Sequence, residues 1–103
     1  MGEAPACLVF CAVPEEAAPR FGARGRELYA LQDATIAAAY AQLASVAAGL
    51  GSTWVGYFDS AAVSAALDLD PTRVPVAMLS LGYPAELPEL SPRRPMTKTV
   101  EYR

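Results

Sequence analysis

The chain has 103 residues and a mass of 10.8 kDa, enough for one hydrophobic core and too little for two. An apolar fraction of 53% excludes disorder over most of the length. A net charge of −3, with Arg93–Arg94 the one adjacent pair of basic residues, argues against a nucleic-acid partner, which needs a clustered basic face.

No apolar run is long enough to span a bilayer. The first, residues 5–13, is interrupted by Pro14, Glu15 and Glu16, and no positively charged segment precedes it as a secretory signal would require. The expectation is a cytoplasmic protein forming a single domain over residues 1–103, with no membrane partner. Much of the apolar content is alanine, which favours helices but has little area to bury. A core built on it is thin, and large apolar residues from a second subunit would help complete it, so a homodimer is expected.

Residues 6–13, Ala-Cys-Leu-Val-Phe-Cys-Ala-Val, are short and continuously apolar, which suits a central strand covered on both faces. Cys7 and Cys11 would share a face of that strand about 13 Å apart, beyond disulfide reach. With no histidine in the chain, two thiolates make half of a structural zinc site, so the expectation is two buried free thiols and no metal. Residues 14–27 mix proline, glycine, arginine and glutamate without periodicity and read as a surface loop.

From Leu28 to Ala48 there is neither proline nor glycine, and Ile36, Tyr40, Leu43, Ala47 and Leu50 recur at spacings of three and four, the period of a helix. Gly49 and Gly51 are placed to supply the left-handed positions that stop it. Residues 52–58 have strand composition. Asp59 or Ser60 can cap a second, short helix with Val63 and Leu67 on its inner face, ended by Pro71. Residues 74–81 form a third strand, closed by Gly82, Tyr83 and Pro84, and the proline-rich tail over 85–103 should run extended.

The usual catalytic constellations are missing. The chain has no histidine for general base work, no Gly-x-Ser-x-Gly elbow, no phosphate loop of the Walker type and no zinc motif, so no residue is assigned as catalytic. Carboxylates such as Glu15 and Glu16, or Asp68 and Asp70, are explained as solvated loop charges. An enzyme built from this chain would take its reactivity from a cofactor.

Three segments in register carry a resemblance. Asp33 opens the long helix, which ends in Gly49-Leu-Gly-Ser-Thr-Trp-Val-Gly-Tyr-Phe-Asp59; Val74-Pro-Val-Ala-Met-Leu-Ser-Leu-Gly-Tyr-Pro84 follows, then Arg93-Arg94-Pro95. In order and spacing these resemble the C-terminal half of the nitroreductase superfamily. The resemblance implies an α+β half domain, with a mixed sheet of about three strands packed on one long and one short helix and an extended tail.

It also implies an FMN site at a dimer interface. Gly56 matches the residue whose backbone N–H faces flavin N5, with Trp54 and Val55 before it and Tyr57 after it, and Arg93 and Arg94 resemble the basic motif that holds the FMN phosphate. Each residue has another explanation. Gly56 also suits a strand bulge, Trp54 suits plain core packing, and the two arginines suit a solvated basic pair.

Two positions depart from the pattern. Tyr57 stands where glycine is usual, and Ser91 falls near the first basic residue of the phosphate motif. The family's N-terminal helical half, with its Arg-Ser-x-Arg-like segment, has no counterpart here. The implied activity is an FMN-dependent oxidoreductase, or a subunit of one, passing hydride from NAD(P)H through flavin to an electron-poor acceptor. A second copy or a separate chain would supply the remaining contacts. The alternative is a flavin-free binding or scaffold module.

Overall fold

The computed structural model describes residues 4–84 and 89–103. Strand β1 (Ala6–Ala12) leads into helix α1 (Pro14–Arg24), a π-helical turn (Gly25–Tyr29) and the long helix α2 (Ala30–Ala47). Strand β2 (Gly51–Val55), helix α3 (Ser60–Leu67), strand β3 (Val74–Gly82) and one short turn of helix, α4 (Met96–Thr99), follow.

The sheet has the order β1-β3-β2 and is antiparallel throughout, rather than mixed. The central strand is therefore β3, not β1. Burial follows this order: Pro75, Ala77, Leu79 and Ser80 are all buried in β3, whereas Ala6, Cys7 and Leu8 of β1 are exposed. Cys7 thus departs from the expected burial, while Cys11 is half-buried and both thiols are free. The β1–β3 register slips between Phe10, opposite Ala77, and Cys11, opposite Pro75. A proline has no N–H to give to the ladder, and a bulge is where a strand accommodates one.

Residues 14–24 are helical, not loop. Pro14 occupies the first turn, where its missing N–H costs nothing, and Glu15 and Glu16 sit at the positive end of the helix dipole. At Gly22 the backbone turns to φ 62°, ψ −141°, which only glycine adopts without strain, and the chain refolds as the π-helical turn that feeds α2. Glu15 and Arg26 pair across this turn at 3.0 Å and 3.3 Å.

Helix α2 is closed by a double hydrogen bond. Gly49 N–H donates to Val46 O and Leu50 N–H to Ser45 O, at 3.0 and 2.9 Å, with Gly49 at φ 78°. Gly51 is not at positive φ and opens β2 instead. Helix α3 begins at Asp59, whose carboxylate accepts from the N–H groups of Ala61 and Ala62 at 3.0 and 3.3 Å. It ends at Leu67, before Pro71, with Asp68 left-handed at φ 52°. Val63 of α3 is half-buried, but Leu67 is exposed.

The core is thin, as the alanine content foretells. Its buried apolar residues are Ala12, Ala30, Ala34, Ala38, Ala77 and Leu79, and among the described residues Leu79 is the one large side chain fully enclosed. Helix α2 rests on the sheet through Ala30, Ala34, Ala38 and Ser45. The stripe that marks the helix in the sequence points the other way: Ile36, Tyr40 and Leu43 are exposed. The result is a plate 47 × 43 × 23 Å, with a radius of gyration of 16.5 Å. About 13 Å is usual for a compact chain of 100 residues.

Candidate functional site

The residues singled out in the sequence fall at the free edge of the sheet and beyond it. Trp54 and Val55 end the edge strand β2, opposite Leu79 and Met78. Trp54 is 37% exposed, so it is not the buried core aromatic that its composition also allows. Gly56 follows the strand and is exposed. Tyr57 is fully exposed, at 102%.

Gly56 is the informative residue. It does not occupy a left-handed conformation, since among the described glycines only Gly22 and Gly49 do. No bulge interrupts the β2–β3 register next to it. A Cβ placed on it would meet nothing nearer than the indole of Trp54, with Nε1 at 3.5 Å and Cδ1 at 3.8 Å, which is ordinary contact. The fold of this chain therefore has no need of a glycine there. What the missing side chain leaves open is close approach to the backbone from outside, and the Trp54 indole N–H lies beside that opening.

Ser60 ties this edge to the central strand, its hydroxyl donating to Pro75 O at 3.1 Å. That bond holds the start of α3, and with it the Asp59 cap, against β3. Arg93 and Arg94 are exposed in the irregular segment before α4, and neither forms a salt bridge among the described residues.

A second feature was not legible in the sequence, because it depends on residues 14–24 being helical. A cavity of about 640 Å³ lies between α1, the π-helical turn and α2, lined by Cys11, Val13, Phe21, Tyr29, Asp33 and Ile36 among others. Phe21 and Tyr29 meet edge to face, with ring centroids 5.1 Å apart, and Arg24 Nε donates to the Tyr29 hydroxyl at 3.1 Å. Pro14-Glu15-Glu16 is the sequence signal that would have found this helix. No group of three or more metal-ligating side chains occurs among the described residues, and no described helix is long and apolar enough to cross a membrane.

The model of the Nitroreductase family matches residues 1–83. The chain belongs to the nitroreductase family. Among solved structures, this family member is similar to NfrA2 of B. megaterium (28% identity over 96% of this chain and 45% of that one, TM-score 0.82). It is also similar to the NADPH:FMN oxidoreductase of Vibrio harveyi, solved in complex with NAD+ (27% identity, 96% and 46%, TM-score 0.80). A third is an FMN-dependent nitroreductase of Clostridium difficile R20291 (25% identity, 96% and 57%, TM-score 0.69). The nitroreductase-family chain thus spans about half the length of these relatives. No curated protein matches it.

Proposed function

We propose that residues 1–103 act as one unit of an FMN-dependent oxidoreductase that takes hydride from NAD(P)H and passes it to an electron-poor acceptor. The observation that carries this is Gly56, an exposed glycine that the chain's own backbone and packing do not require. Family membership and the flavin enzymes among the similar structures support it.

The residues present fit one wall of a flavin site. Gly56 would offer its backbone N–H to the ring nitrogen that accepts hydride, and Trp54 and Val55 would fix the edge strand that presents it. Tyr57 would stand over the opening and narrow it. Arg93 and Arg94 would hold the phosphate, for which a guanidinium fork is well shaped. Bound FMN would supply the two-electron chemistry that no side chain of this chain can. A second copy of the chain, or a separate chain, completes the site. Dependence on reduced nicotinamide supports a cytoplasmic setting.

The full exposure of Tyr57, where glycine is usual, and Ser91 in the phosphate motif favour a second reading, a flavin-free binding or scaffold module. An absorbance spectrum after incubation with excess FMN, read with the thermal midpoint, separates the two. A ligand that binds only the native state must raise its midpoint. Yellow protein with a raised midpoint supports the oxidoreductase. Colourless protein whose midpoint ignores FMN leaves the scaffold.

A further inference from the structure

Two carboxylates, Glu16 of α1 and Asp33 of α2, line the cavity between those helices, and no basic residue does. Three arginines belong to the same stretch of chain, yet each is turned to something else. Arg26 pairs with Glu15 at 3.0 Å, Arg24 donates to the Tyr29 hydroxyl at 3.1 Å, and the Arg20 guanidinium lies 5.2 Å from the centre of the Phe21 ring. Neither Glu16 nor Asp33 forms a salt bridge among the described residues.

Helix formation accounts for Glu16 but not for Asp33. Glu16 sits in the first turn of α1, where the free N–H groups attract an anion. Asp33 has no such end to face, because α2 continues from the π-helical turn without a break, its flanking Tyr29 being helical at φ −66°, ψ −38°. Aspartate is among the poorer helix formers, since its side chain competes for backbone hydrogen bonds.

Phe21, Tyr29 and Ile36 supply much of the apolar lining, and aromatic rings attract a cation as well as a hydrocarbon. Like charges on one cleft add their fields, concentrating cations and repelling anions. The volume of about 640 Å³ falls in the range usual for small-molecule sites. We infer that this cavity binds a small organic cation, an amine or quaternary ammonium on an apolar body. The charge lies toward Glu16 and Asp33, and the body lies against Phe21, Tyr29 and Ile36. Helix α1 contributes no buried residue and turns at Gly22, so this wall is free to adjust to what it covers. The inference makes no use of flavin and applies under either reading of the function.

Cys11 also lines the cavity, half-buried, and reports its occupancy. In a Cys7→Ser background it is the one thiol of the chain. Its alkylation by iodoacetamide is followed by intact mass with three probes of similar shape: phenethylamine, the uncharged phenethyl alcohol and the anionic phenylpropionate. An exposed charge is worth about threefold in affinity, and two combine to about tenfold. The amine should therefore slow alkylation saturably, with half-protection at a concentration about tenfold below that of the alcohol, and the anion should not protect. Asp33→Asn and Glu16→Gln should each raise the half-protecting concentration of the amine about threefold and leave that of the alcohol unchanged. Phe21→Ala should raise both.

Equal protection by amine and alcohol, stronger protection by the anion, or an amine effect that neither carboxylate variant alters would each overturn the inference. Glu16 is exposed, so its variant keeps the test decisive if Asp33→Asn fails to fold. Flavin absorbance is read on the same samples after addition of FMN. Colourless protein that still prefers the amine leaves the cation site standing while the oxidoreductase reading fails, and yellow protein without that preference does the reverse.

Discussion

The Cα of Gly25 is packed so closely under the preceding turn that a Cβ there would sit 2.7 Å from the carbonyl oxygen of Ala17 and 2.8 Å from the Cβ of Phe21. Neither neighbour is the free end of a flexible side chain. Gly25→Ala should therefore cost about 1–3 kcal/mol, as overpacking does. In a domain of this size that lowers the thermal midpoint by roughly 4–8 °C for each kcal/mol. A variant melting with the parent protein would show that the turn is not packed as described.

Gly56 should behave in the opposite way. Its Cβ would find ordinary contact with Trp54, so Gly56→Ala should leave stability within about 0.5 kcal/mol of the parent. On the proposed function it should weaken FMN binding or slow flavin reduction by roughly tenfold, because the added methyl stands where the cofactor approaches. Loss of stability with flavin binding intact would place the role of Gly56 in the fold instead.

The two ends of α3 carry predictions of opposite sign. Asp59→Ala removes the acceptor for the Ala61 and Ala62 N–H groups and should destabilise by about 1 kcal/mol. Asp68 holds φ 52° at the other end, so Asp68→Gly should relieve left-handed strain and stabilise by about 0.5–1 kcal/mol. Urea denaturation of both variants reads the two effects with the same probe. Equal and same-signed shifts would contradict the caps.

Acid should loosen the α1 turn before the sheet. The hydrogen bonds from Arg26 to Glu15, and then the charge of the guanidinium, hold the Glu15 carboxyl below its usual value. A carboxylate depressed on folding contributes stability that is fully present above its unfolded value and is lost as pH falls through the lower folded one. Asp70 shifts in the same direction, through the Thr72 backbone N–H and then its hydroxyl. Glu15→Gln should flatten the part of the acid profile reported by the Phe21–Tyr29 pair in near-ultraviolet dichroism. An unchanged profile would show that the pair contributes nothing on folding.

Elements governed by local chemistry were legible in the sequence. The Asp59 cap, the Gly49 stop and the β-rich run at 74–82 each follow from residues within a few positions of one another. The α1 segment is hard to read in the sequence because Pro19 and Gly22 break its periodicity, although Pro14, Glu15 and Glu16 announce its start. The central place of β3 and the outward face of α2 were not readable for a different reason. Periodicity identifies a helix, but a helix made of alanine on one side and large residues on the other can bury either. Here the alanines won the sheet because they allow the closer approach. The family resemblance in the sequence singles out Trp54, Gly56 and Tyr57 as candidates, but that Gly56 is unneeded by the fold is visible only from its surroundings.

Leu79 is sealed on every side, and no other large side chain among the described residues is. A chain with one such anchor draws little of its stability from within. If the chain works as the homodimer of the proposed function, folding and association become a single equilibrium, and the melting temperature turns into a function of how much protein is present. Dilution would then act on this protein as a denaturant does on others, and its abundance in the cell would set whether it is folded at all.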